Sequence, residues 1–513
     1  MDPAVMDTAI IVLMLVLFFS SMIGIGIYCR KKSTDVNGFV LGGRSVGPWL
    51  TAFAYGTSYF SAVVFVGYAG KFGWNFGTAA TWAGVGNAII GSLLAWAVLG
   101  RRTWRMSQHL GSSTMPQFFE GRFGSKALKL ASAIIIFVFL IPYTASLYNG
   151  LSRLFGMAFD VPYEVCVIVM AVLTAVYVII GGYMATAISD FIQGMIMLFG
   201  IVAVIIAVLN QKGGLVEAFT SLSQVSEGNI AAGSFTSLFG PDPVNLLGVV
   251  LLTSLGTWGL PQMVTKFYAI KNEKAINKGM IISSVFALIV AGGCYFLGGF
   301  GRLFFASTEE MTQAGGFDNI VPTMLGDLPA ILIGIVLVLV LSASMSTLSS
   351  LVMTSSSTLT LDFIKGTVIK KFPEKNQLLI IRLLIVVFVA ISVAIAIIQH
   401  NSNVSFIAEL MSISWGTLAG AFLAPFLYSL YWKRISALSV WFSFAFSVIV
   451  MLLNMLANDW FPQLLKSPVN AGVFCMLAGL VIVPLVSLIS KPPKKEYVEE
   501  VFSCYKKSEE EVK

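Results

Sequence analysis

The sequence predicts an all-α protein that crosses a membrane about thirteen times, and three observations carry that prediction. Of 513 residues, 57% are hydrophobic and 11% charged, against the ~25% charged of an average soluble protein, and mean hydropathy is +0.87. Apolar runs of the ~20 residues that a bilayer helix needs recur along the chain, separated by short polar stretches. When these runs are taken in alternating directions, 27 of the 32 Lys and Arg fall on one side, and only Lys71, Arg153, Lys212, Arg302 and Lys466 on the other. Cytoplasmic loops concentrate positive charge, so the rich side is expected in the cytoplasm. No soluble domain hides this much apolar surface, which excludes a water-soluble enzyme. The net charge of +7 follows from the asymmetry and needs no nucleic acid partner.

The first element begins after the acidic MDPAVMD and runs from about 9 to 29 into Arg30, Lys31 and Lys32. A cleavable signal carries its positive charge ahead of its apolar stretch, so this run is expected to be a retained helix with its N-terminus outside. Further spans are expected at 47–73, 78–100, 127–152, 161–183, 186–210, 243–263, 277–303, 328–358, 377–400, 404–431, 436–457 and 469–490. The organisation that follows is an N-terminal helix and link (1–46), a first repeat (47–210), an outer loop (211–242), a second repeat (243–431), two C-terminal helices (432–490) and a charged cytoplasmic tail (491–513). Cys29, Cys166, Cys294, Cys475 and Cys504 are scattered without metal-like spacing and are expected to be packing residues.

Two spans are interrupted in a way bilayer helices avoid. The first holds Gly56-Thr57-Ser58-Tyr59-Phe60-Ser61 and the second Gly256-Thr257-Trp258-Gly259-Leu260-Pro261. Backbone groups freed in hydrocarbon must be satisfied inside the protein or in a wet cavity. Broken helices in corresponding positions of two halves mark inverted repeats with substrate and ion sites at the breaks.

The run at 328–358 turns polar after Val340, reading Leu341-Ser342-Ala343-Ser344-Met345-Ser346-Thr347-Leu348-Ser349-Ser350. Ala343, Ser346, Thr347 and Ser350 share one helix face. Such hydroxyls can bond their own helix or glue helices together, but stacked they also offer the neutral oxygens that suit a hard monovalent cation, with carbonyls of the unwound 57–60 stretch completing a shell. Asp190, in GGYMATAISDFIQG, is a carboxylate at membrane depth and hence a functional candidate; the alternative is a helix N-cap exposed to the cytoplasm. Glu409 is expected to be solvated near the outer surface. His109 and His400 stand at membrane edges and give little support to a proton relay.

FVLGGRSVGPWLTAFAYGTSYFS, GGYMATAISDFIQG and SASMSTLSS, in that order between about 38 and 434, resemble the signatures of the sodium:solute symporter family, which spans bacterial proline, pantothenate and sialic acid transporters and animal sodium–glucose and monocarboxylate cotransporters. The resemblance implies a leucine-transporter-type inverted repeat of five plus five helices after one extra N-terminal helix. It also implies a main sodium site built from the carbonyls of Thr57, Phe60 and Ala343 and the hydroxyls of Ser346 and Thr347. A second sodium site would use Asp190, Ser349 and Ser350. The proline branch carries an aspartate where this chain has Tyr59, and a tryptophan and a tyrosine where it has Thr253 and Thr257, which argues against proline. GTWGLPQMVTKFYAIKNEKAINKG is closer to the pantothenate branch, while Tyr143 matches a pocket tyrosine of the proline branch.

The function expected is sodium-coupled import of a small solute across a bacterial cell membrane by alternating access. Substrate contacts are expected from Gly56, Ser58, Tyr59 and Ser61 at the first break, Thr257 and Trp258 at the second, and Tyr143 at one side. No Lys or Arg stands near the middle of either break, so a carboxylate would be held by unwound amides and helix ends. A carboxylate-bearing solute is therefore expected, with sugar or sialic acid symport as the alternative. The partners are the solute, sodium and the bilayer, and the sequence assigns no oligomeric state. A membrane enzyme lacks an HExxH, a GxSxG or a histidine facing a buried carboxylate. A sensor would need more than the short charged tail, and a channel does not explain paired breaks.

Overall fold

The computed structural model describes residues 3–58, 60–159, 162–369, 372–401 and 407–508. Its apolar helices, in chain order, are α1 (Pro3–Cys29), α2 (Pro48–Thr57), α3 (Val63–His109), α4 (Lys126–Phe159), α5 (Tyr163–Asn210), α6 (Pro243–Leu255), α7 (Pro261–Tyr268), α8 (Lys274–Gly298), α9 (Ala330–Thr358), α10 (Glu374–Asn401), α11 (Ile407–Tyr431), α12 (Ala437–Leu456) and α13 (Pro468–Ile489). Among the described residues there is no β-strand, only isolated bridges such as Val46 with Ile270.

Ten described helical runs are long and apolar enough to cross a bilayer, or eleven with the bent pair α6 and α7. The difference from the expected thirteen lies in α3 and α5. These run for 47 and 48 residues and each takes in parts of two expected spans. At ~1.5 Å per residue each run holds about 70 Å of helix in total, roughly twice a ~30 Å hydrocarbon core and so enough for two crossings. Each is interrupted at a glycine with positive φ, Gly77 at +62° and Gly182 at +60°, a conformation that side chains with a Cβ rarely adopt.

Local sequence explains the ends and contacts. Asp242 accepts the Asn245 amide and Pro243 opens α6, while Ser436 caps α12 in the same way. α3 and α8 meet through glycines: a Cβ on Gly84 would lie 2.3 Å from Gly292 Cα. Small residues of this kind let membrane helices pack backbone to backbone.

α9 is the centre of the bundle. Every residue from Val336 to Thr358 is buried, and the helix packs against α1, α4, α5 and α10. A helix buried all round has no lipid face to make apolar, which is why it can carry so many hydroxyls. α2 lies against α5 and α8, placing the first break beside the polar half of α9.

The C-terminal tail differs from a free charged segment. Its helix α14 (Lys495–Phe502) buries Val498, Val501 and Phe502, the Tyr497 hydroxyl donates to the Gly121 carbonyl, and Lys433 pairs with Glu499 at 2.8 Å. This docking gathers basic residues of α3, the short helix Met115–Phe123 and the link after α11 at one end of the bundle, called the lysine-rich end below.

Candidate functional site

α2 stops at Thr57, which frees the carbonyls at its end, and α9 presents hydroxyls to them. Ser346 Oγ lies 3.1 Å from Thr57 O and 2.9 Å from Ala343 O. Thr347 Oγ1 lies 3.2 Å from Thr57 O, 3.1 Å from Phe60 O and 3.1 Å from Ala343 O. The structure therefore brings together all of Thr57, Phe60, Ala343, Ser346 and Thr347, each of them buried. A hydroxyl has one proton, so Thr347 can satisfy only one of its three carbonyl neighbours at a time. A monovalent cation among these oxygens would satisfy them together, and the absence of a carboxylate in the set matches a hard ion of low charge. The break is stitched to α9 once more where the Ala62 amide donates to Ser344 Oγ at 3.1 Å.

The second break, a 40° bend between α6 and α7, is wired differently. Thr257 Oγ1 lies between the Ser254 carbonyl of its own helix at 2.8 Å and the Gly91 carbonyl at 3.1 Å, Trp258 Nε1 donates to the Ile90 carbonyl at 2.9 Å, and the Tyr55 hydroxyl donates to Gly91 at 2.8 Å. Residues 87–94 of α3 are π-helical, a local widening of the helix that often marks functional sites. Thr257 and Trp258, expected to face substrate, also brace the bend through these bonds. Gly259 permits the brace, because a Cβ there would stand 2.7 Å from the Leu423 amide of α11.

Gly56 is likewise a packing residue: a Cβ would meet Phe286 at 2.6 Å. Ser58 Oγ is shared between its own helix at Ala54 O and Ser350 Oγ, the latter at 2.9 Å. Tyr59 lies outside the described residues. Among the described residues, three buried groups beside the first break, Ser61 Oγ, the Tyr143 hydroxyl of α4 and Trp415 Nε1 of α11, meet the strict hydrogen-bond geometry with no partner and have one another as their polar neighbours. Tyr143 and Trp415 stack edge to face at 5.9 Å, and Ser61 adjoins Tyr143. All three can donate, so together they suit an acceptor-rich group. Trp415 escaped the sequence reading because ISWGTLAG looks like any packed aromatic in a small-residue helix.

Asp190 is not a helix cap. It lies two turns past Gly182 inside α5, fully buried, with Lys266 of α7 3.8 Å from its Oδ2. Lys266 Nζ donates to Ser350 Oγ at 2.9 Å and sits 5.1 Å from the centre of the Tyr183 ring. Ser349 donates back to Ser346 O of its own helix at 2.9 Å. The expectation that no basic residue approaches the breaks is therefore corrected. Lys266, counted with the basic loops, is buried and reaches Ser58 of the first break through Ser350.

Two cavities flank these groups. Toward the lysine-rich end a pocket of about 20 Å³, room for about one water, is lined by Tyr183, Gln262, Lys266, Ser349, Ser350 and Thr354. At the opposite end a cleft of about 1380 Å³ is lined in part by Lys71, Trp74, Asn245, Arg302, Glu409 and Asn470. There Glu409 pairs with Lys71 at 3.1 Å and Arg302 with Glu227 at 2.6 Å. The Thr308 hydroxyl, and then Arg302, hold the Glu227 carboxyl below its usual range. Among the described residues no group of His, Cys, Asp and Glu could hold a transition metal.

The sequence model of the sodium:solute symporter family matches residues 39–441. The chain belongs to this family. As a sodium:solute symporter it is a multi-pass membrane transporter with sodium as its coupling ion. Relatives along nearly the whole chain include an osmoregulated proline transporter of Bacillus subtilis, 28% identical over 491 residues that cover 94% of this chain and 96% of that protein. A sodium/proline symporter of Staphylococcus aureus is 30% identical over 505 residues, covering 94% and 93%. Among solved structures, a Na+-coupled sialic acid symporter in its substrate-bound outward-open state superposes with a TM-score of 0.75 at 16% identity, covering 95% of this symporter and 99% of that chain. The likeness establishes a shared fold, of the leucine-transporter inverted-repeat type.

Proposed function

We propose that this symporter imports a small carboxylate-bearing solute, of the amino acid or monocarboxylate class, with sodium held between the first break and α9. The convergence of Thr57 O, Phe60 O, Ala343 O, Ser346 Oγ and Thr347 Oγ1 within 2.9–3.2 Å carries the ion assignment. Sodium there pins α2 to α9, and its departure leaves hydroxyls to replace it one carbonyl at a time. The solute sits beside Ser61, Tyr143 and Trp415, whose clustered donors can turn to a carboxylate without a cation. Ion and solute thus share the stretch from Thr57 to Ser61, so that each steadies the backbone the other needs; that shared ordering is the coupling. The lysine-rich end faces the cytoplasm of a bacterial cell, the N-terminus lies outside, and release proceeds through the pocket beside Gln262 and Ser350.

Proline is the solute named for the curated relatives, and sialic acid, named for the structural neighbour, also bears a carboxylate. The test is uptake into proteoliposomes under an imposed sodium gradient, with radiolabelled proline and competition by monocarboxylates, other amino acids, sialic acid and glucose. Uptake that needs the gradient and is competed by carboxylates is expected. Uptake of glucose with no competition from any carboxylate would overturn the solute class, and uptake indifferent to sodium would overturn the ion site.

A further inference from the structure

The buried pair of Asp190 and Lys266 bears on how many sodium ions move. Asp190 is fully buried and, among the described residues, neither carboxylate oxygen has a hydrogen-bond partner, so an ionised carboxylate here needs a cation close by. Lys266 supplies one, with Nζ 3.8 Å from Oδ2. The same ammonium donates to Ser350 Oγ, and Ser350 meets Ser58 at 2.9 Å. One positive charge therefore links α5, α7, α9 and the end of α2.

We propose that the Lys266 ammonium is a tethered cation that takes the place of a second sodium beside Asp190, so that each transport cycle carries one sodium ion. A mobile sodium there would compete with the ammonium for the same carboxylate and for Ser350 and would leave an uncompensated positive charge in a buried site. The lysine moves with α7 and cannot leave, so it neutralises Asp190 without adding to the charge moved. The geometry also fixes a role for α7, which follows the second break: it carries a cation back to the end of the first.

The inference rests on the sodium-symport reading above, and its test reads sodium directly, with no need to know the solute. Binding of ²²Na to the purified full-length protein is expected to saturate at one ion per chain in the wild type. It should saturate at two in Lys266→Met, which keeps the aliphatic stem and removes the charge. Lys266→Met combined with Asp190→Asn should return to one. Two ions in the wild type would overturn the proposal, and so would a single ion in Lys266→Met protein that still elutes as a monodisperse peak. Should Lys266→Met not fold, Asp190→Asn alone decides, because the proposal requires one ion both with and without the carboxylate, and a fall from two to one would refute it. No sodium bound to any of these proteins would instead defeat the symport reading itself.

Discussion

The two broken helices solve the same physical problem with opposite polarity. At the first break the backbone supplies acceptors, the Thr57 and Phe60 carbonyls, and the hydroxyls come from α9. At the second break the chain supplies donors, Thr257 and Trp258, and the carbonyls come from the π-helical stretch of α3. A cation can replace hydroxyl protons at the first break, because every partner there is an oxygen with lone pairs to spare. At the second it would have to displace an indole N–H that cannot ligate it. The difference teaches why a pseudo-symmetric scaffold would favour an ion at the first break: one break offers oxygens free to change partners and the other ties an indole N–H to the backbone.

The comparison breaks first at its threonines. Thr347→Ala removes the oxygen that contacts three carbonyls and is expected to raise the sodium concentration for half-maximal uptake by about tenfold or more, a loss of at least ~1.4 kcal/mol. Thr257→Ala, the counterpart at the second break, should shift it less than about twofold, since its hydroxyl meets the Gly91 and Ser254 carbonyls and none of the oxygens of the first break. Equal shifts in the two variants, measured on proteoliposomes of matched protein content, would mean that the breaks are not functionally distinct.

Much of the first break was legible in the sequence. Ala343, Ser346 and Thr347 lie on one helix face, and a Gly-Thr-Ser interruption frees carbonyls as well as amides, so the pattern of oxygens follows from 3.6-residue periodicity and bilayer energetics. The second break was legible as a bend but not in its wiring. The N–H of Trp258, a residue expected to contact substrate, goes to Ile90, and nothing in NAIIGSLL announces the π-turn that receives it. Lys266 was unreadable for a related reason. Its partners Asp190 and Ser350 lie far away in the chain, and its place in PQMVTKFY near the basic loops resembled an interfacial lysine.

A smaller effect sharpens the solute side of the comparison. Tyr143→Phe deletes only the hydroxyl, whose polar neighbours among the described residues are Ser61 and Trp415, and keeps the edge-to-face contact with Trp415. Solute affinity should fall about fivefold, the scale of one hydrogen bond of ~1 kcal/mol, with sodium dependence of binding changed by no more than about twofold. Trp258→Phe should show the reverse pattern for a structural brace. Uptake constants stay near wild type while the protein melts earlier, by roughly 1 kcal/mol of lost hydrogen bond. A loss of solute affinity in Trp258→Phe that exceeds the loss in Tyr143→Phe would move the substrate to the second break.

The least effect expected concerns α11, the helix that touches both breaks, through Trp415 beside Tyr143 and through the close approach of Gly259 to Leu423. Its first described amide, that of Ile407, donates to Asp318 Oδ2 at 3.3 Å. Burial pushes the Asp318 carboxyl from the 3.8 of a free aspartate up to about 6, although the Ile407 amide, Arg153 and Lys71 pull the other way and Glu409 adds to the rise. A raised carboxyl binds its proton more tightly folded than unfolded. Its contribution to stability is therefore complete below pH 3.8 and lost as the pH climbs through about 6. Detergent-solubilised protein should melt slightly higher at pH 5 than at pH 7.5, and Asp318→Asn should flatten that slope. Because α11 underlies both breaks, the slope is expected to survive unchanged in Thr347→Ala and in Trp258→Phe. A slope that persisted in Asp318→Asn but vanished in only one of those two would tie the titration to one break and show that α11 does not join them as a single rigid support.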